Sequence, residues 1–87
     1  MFEEKVKMLA SGIADMLIRK NESYGNSALD PIRVFAKSDD IEQICVRIDD
    51  KLSRIKRGKD FDNEDVINDL IGYLFLLKIK LEEKQNG

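Results

Sequence analysis

At 87 residues, with 43% hydrophobic and 37% charged side chains, the chain has room for one small ordered domain and not for two. Its single cysteine cannot close a disulfide within the chain, and with no histidine the ordinary zinc ligand sets and every histidine-dependent triad are excluded. The net charge of −2 argues against wholesale wrapping of nucleic acid, which shows as a basic excess. Residues 19–59 nevertheless carry ten basic and seven acidic groups, and residues 60–87 three and seven, so a basic middle is followed by an acidic end. A chain of this size buries only about 60% of the surface its unfolded form exposes, and a homo-oligomer is the expected support.

The first predicted element covers residues 2–20. Phe2, Val6, Leu9, Ile13, Met16 and Leu17 recur at helical spacing and make one apolar stripe. The start, Met1-Phe2-Glu3-Glu4-Lys5, lacks the basic-then-apolar layout of a signal peptide, and no run approaches the roughly 18 apolar residues of a membrane span. A cytoplasmic protein without membrane contact is expected, with Cys45 a reduced, buried thiol.

From Asn21 to about Lys37 the period vanishes, and Asn, Ser, Gly and the only proline collect there. This predicts a long loop, anchored by Tyr24, Leu29, Ile32, Val34 and Phe35, with a short helical turn after Pro31. Ser38-Asp39-Asp40 then offers N-caps, Asp39 standing in capping-box register with Glu42. A second helix is predicted to about Arg57, with Gly58 as its stop and Ile41, Ile44, Cys45, Ile48, Leu52 and Ile55 as its buried face. Asp62 is the expected cap of a third helix, Asn63 to about Lys84. Its centre, Leu70 to Leu77, is apolar almost all round and predicts self-association through this helix. The fold class read from the sequence is therefore all-α: three helices, a long loop between the first two, one domain, and assembly as a homo-oligomer.

On the second helix Arg47, Asp50, Lys51 and Arg54 fall within an arc of about 100°, beside the core stripe, where side chains line a cleft. On the third, Asp65 and Asp69 lie one turn apart, and Gly72 on the same face leaves room for a ligand or another helix. Carboxylates at this spacing suit Mg²⁺, and nearby arginines and lysines suit phosphate. Plainer readings account for the same residues. Asp50 and Arg54 at i, i+4 make an ordinary surface ion pair, and Asp65 in a first helical turn is favoured by the helix dipole alone.

Three blocks in order, Lys20-Asn21-Glu22-Ser23-Tyr24-Gly25, Arg47-Ile48-Asp49-Asp50-Lys51-Leu52-Ser53-Arg54-Ile55 and Asp65-Val66-Ile67-Asn68-Asp69-Leu70-Ile71-Gly72-Tyr73, resemble the pattern of a small phage and prophage helical family. This is the nucleotide modification associated domain 1 group, similar to the all-α NTP pyrophosphatases. The resemblance implies a nucleotide-binding helical fold. It makes Tyr24, Asp50, Lys51, Arg54, Asp65 and Asp69 candidate site residues. Together with the basic face of the second helix this gives Tyr24, Arg47, Lys51 and Arg54 as candidate nucleotide contacts, aided by Lys20 or Arg33, and Asp50, Asp65 and Asp69 as candidate metal ligands. Those pyrophosphatases present E-E-x-x-E on one helix and E-x-x-D on the next. Here Ser53 and Val66 stand where acids are needed, so the full acidic set is missing.

Two functions follow from these residues. One is a phage-type binding protein that holds a small nucleotide, for instance to sequester a cyclic or modified nucleotide signal against host defence. The other is a Mg²⁺-dependent nucleoside triphosphate pyrophosphohydrolase. A phage interaction module that uses the third helix as its partner surface is a further alternative.

Overall fold

A computed structural model describes residues 1–29, 39–58 and 64–86, and these contain three helices and no strand: α1 (Phe2–Ser23), α2 (Asp40–Arg57) and α3 (Glu64–Asn86). The expected all-α class holds. Among the described residues no helix is long and apolar enough to cross a membrane.

The ends of α2 follow local chemistry. Asp39 is the N-cap, its carboxylate accepting the Glu42 backbone N–H at 2.8 Å, which satisfies one of the amides that a helix start leaves unpaired. At the other end Gly58 takes a left-handed conformation (φ 73°), and its N–H donates to the Ile55 carbonyl. The expected Asp62 cap and Asn63 start of α3 lie outside the described residues. At its far end α3 continues past Lys84 to Asn86.

The long loop expected from Asn21 is not supported: α1 takes its first three residues and ends at Ser23. The positive φ angles of Gly25 (71°) and Asn26 (61°) end the helix, not the polar residues before them. Asn21 then organises the turn from within the helix. Its carbonyl accepts the Asn26 N–H at 2.7 Å, and its side-chain Oδ1 accepts the Ala28 N–H at 2.9 Å. The Ser27 hydroxyl closes the turn by donating to the Tyr24 carbonyl. The anchors Ile32, Val34 and Phe35 and the turn after Pro31 lie outside the described residues.

α2 and α3 form an antiparallel pair. Lys80 near the end of α3 reaches Asp40 at the start of α2 (3.3 Å), and Lys51 of α2 reaches Asp69 of α3 (3.5 Å). Ile44 and Val66, 2% and 4% exposed, are the buried side chains of this pair, one towards each end of it. α1 leans on α3 over a short stretch only. Gly72 makes that approach possible: a β-carbon there would stand 3.0 Å from Leu17 Cδ2 and 3.4 Å from Met16 Cε. The room that Gly72 was expected to leave is therefore taken by α1.

The stripe expected to be core along the whole of α1 is buried at Ile13 alone; Phe2, Val6 and Leu9 are exposed, as is Leu52 of α2. Cys45, expected to be buried, is half-buried. The reason is geometric. Among the described residues α1 touches α3 only near its C-terminal half, so its first three turns pack against no other described element.

Candidate functional site

Because α1 and α2 both lean on α3 without closing on each other, a cleft of about 630 Å³ remains between them. α3 supplies its floor through Asp69, Gly72, Tyr73 and Leu76. α1 and the following turn supply one wall, with Lys20, Asn21 and Tyr24, and α2 supplies the other, with Gln43, Ile44 and Arg47. The volume falls within the range of about 300–1,000 Å³ typical of small-molecule sites.

The polar centre of the cleft is Asp69. It accepts a hydrogen bond from Lys20 Nζ at 2.8 Å on Oδ1 and pairs with Lys51 Nζ at 3.5 Å on Oδ2, so one carboxylate joins all three helices. Burial pushes the Asp69 carboxyl upward, but the hydrogen bond and charge of Lys20, reinforced by Lys51, outweigh it and hold the group below its ordinary range. Lys20 is raised, first by its hydrogen bond to Asp69 and against the effect of its own partial burial. Two cations around one anion leave the cluster with a net positive charge.

Of the residues marked out in the sequence, the fold brings Tyr24, Arg47 and Asp69 to the cleft, with Lys51 behind Asp69. Tyr24 is 73% exposed, held at the mouth by the turn that Asn21 clamps. Arg47 is exposed along the α2 wall, and no carboxylate among the described residues lies within ion-pair range of it. Arg54 and Asp50 pair with each other at 3.3 Å on the exposed side of α2, away from the cleft lining. Asp65 lies exposed one turn before Asp69 and does not line the cleft. Arg33 lies outside the described residues.

These residues do not fit a magnesium site. Asp69 is committed to two lysines and Asp50 to an arginine, and among the described residues no three acids, cysteines or histidines gather as a metal-holding group. Sequence reasoning missed Asn21 as the clamp and Gln43 and Tyr73 as lining residues. An asparagine shortly before Gly25-Asn26 was the available signal, since asparagine side chains bond readily to nearby backbone in turns.

No protein-family model, curated protein or solved structure matches this chain.

Proposed function

We propose that the protein is a binding protein for a small phosphorylated nucleotide, held in the cleft between α1, α2 and α3. The observation that carries this reading is the convergence of an exposed aromatic ring, an arginine with no carboxylate partner among the described residues and a net-positive Lys20–Asp69–Lys51 cluster on one cleft of suitable volume. Tyr24 is the stacking surface for a base, Arg47 the bidentate phosphate contact, and Lys20 and Lys51 further cations that a phosphate would draw away from Asp69. The resemblance to the phage and prophage nucleotide family agrees with this chemistry. Withdrawal of a cyclic or modified nucleotide signal from a host defence pathway is the use it suggests. The reading includes a cytoplasmic setting and a homo-oligomer with α3 in its contact surface.

Binding without turnover is preferred to pyrophosphohydrolase chemistry because Asp69 and Asp50 are already paired with cations and no metal-holding group of acids gathers among the described residues. The test is a nucleotide panel titrated calorimetrically with and without Mg²⁺, followed by chromatography of the recovered nucleotide. Intact nucleotide is expected. Arg47→Ala should weaken binding roughly tenfold or more, the loss expected for a charged hydrogen-bonding group, while Arg54→Ala has the smaller effect. Magnesium-dependent release of pyrophosphate would replace this reading with the enzyme, and a panel in which no nucleotide binds would remove both.

A further inference from the structure

The chain exposes 7061 Å², whereas a folded monomer of 10.0 kDa exposes about 5,200 Å². Its radius of gyration is 14.3 Å, against about 12 Å for a compact domain of this length. The excess area, about 1,800 Å² per chain, is of the size that each subunit of an obligate homodimer buries.

Two of the apolar features that the described residues expose complement each other. The first is the free half of α1, where Phe2 (82% exposed), Val6 (47%) and Leu9 (71%) continue the face that buries Ile13. The second is a groove of about 300 Å³ on the side of α1 and α3 away from the nucleotide cleft. It is lined by Ala14, Leu17, Ile18, Phe75, Leu76 and Ile79, and contains no charged side chain. A charged peptide or a nucleic acid would lose solvation there for no return, so an apolar segment is the fitting occupant.

The free half of α1 cannot fill the groove of its own chain. Residues 2–9 and the groove residues Ala14, Leu17 and Ile18 lie on one unbroken helix, and a helix does not fold back on itself. A second copy can offer its stripe to this groove while receiving the first copy's stripe in return, which is the reciprocal arrangement of a two-fold interface.

We infer that the chain forms a two-fold homodimer in which Phe2, Val6 and Leu9 of each copy seat in the Leu17–Ile18–Phe75–Ile79 groove of the other. This deepens the self-association of the proposed reading by assigning α1 as the inserting element; it does not depend on a nucleotide. Sedimentation equilibrium without nucleotide should give twice the chain mass. Leu9→Glu and Phe75→Glu, both at exposed positions, should each weaken association at least tenfold while leaving helical circular dichroism intact. Location is read separately by mixing two proteins, both carrying Cys45→Ser, one with Val6→Cys and the other with Ile79→Cys. Mild oxidation should then link unlike chains in preference to like ones.

A monomeric mass at every concentration would overturn the inference, including the case of a monomer that binds phosphatidylcholine vesicles through α1. A mass above twice the chain would overturn the two-fold closure. A dimer that is indifferent to Leu9→Glu and forms no mixed disulfide would overturn the seating. Nucleotide titrations of the same proteins report on the cleft independently, so failure of one reading is distinguishable from failure of the other.

Discussion

Asp69 is the residue on which the three helices depend most directly, because its two oxygens engage Lys20 of α1 and Lys51 of α2. Its lowered and Lys20's raised proton affinities set the pH window of that link. A carboxyl lowered by folding contributes stability above its ordinary value of 3.8, and the contribution is lost as pH falls through the lower native value. An ammonium raised by folding contributes below 10.5, and that is lost as pH rises through the higher native value. The link is therefore intact across neutral pH and lost only at the extremes. Asp69→Asn should cost more stability at neutral pH than in strong acid, where the wild-type link is itself lost, and so flatten the acid side of the stability profile, by a modest amount because Lys20 is half exposed. The same substitution removes the anion that competes with a phosphate for both lysines. Nucleotide affinity should rise in Asp69→Asn if the cleft is a binding site, whereas a loss of affinity in calorimetry would show that Asp69 itself contacts the ligand.

At the scale of elements, the contact between α1 and α3 is made at Gly72, with Leu17 and Met16 over it. A methyl group there requires Leu17 to shift by a few tenths of an ångström, and Leu17 borders open grooves on both sides, so Gly72→Ala should be tolerated. Its gain in helix propensity, about 1 kcal/mol, offsets the crowding. Gly72→Leu leaves no such escape. It should destabilise by about 1–3 kcal/mol in urea melts and push α1 off the cleft, weakening any nucleotide that binds there. Equal stability of the two variants would show that α1 does not rest on α3 in solution. Gly58 marks a different requirement, a left-handed C-cap, and Gly58→Ala should cost about 1 kcal/mol by fraying the end of α2 without touching the cleft.

For the whole molecule, the decisive quantity is how little the chain buries by itself. Among the described residues Ile13, Ile44 and Val66 are its only buried hydrophobic side chains, while one face of α3 leaves Ile67, Ile71, Leu74 and Leu81 partly in water. Stability should therefore be coupled to concentration, as it is for any folded state completed by a second copy. The melting temperature is expected to rise with protein concentration over two decades, and to lose that dependence in Leu9→Glu. A concentration-independent melt for the wild type would mean that the single chain is stable with this sparse core.

The positions of the helices were legible in the sequence because the signals that place them are local. Asp39 caps α2 through an amide three residues away, Gly58 ends it through its own φ angle, and the apolar stripes need only the 3.6-residue period. Helix spacing also marked Arg47 and Asp69, and the resemblance marked Tyr24; all three line the cleft between the helices. What they did not contain was the choice among equally spaced charges. Asp50 and Asp69 read alike as carboxylates on helix flanks, yet one meets only Arg54 on its own helix and the other meets lysines from two other helices. The stripe of α1 likewise reads as uniform from Phe2 to Leu17, and only the separation of α1 from α3 decides that its second half packs within the chain and its first half does not. The sequence by itself determined three helices, the two caps of α2 and the apolar period of each helix, since each depends on neighbours within about four residues. The tertiary structure alone decided which charges converge and which apolar face remains uncovered, since both depend on where helices distant in the chain come to rest.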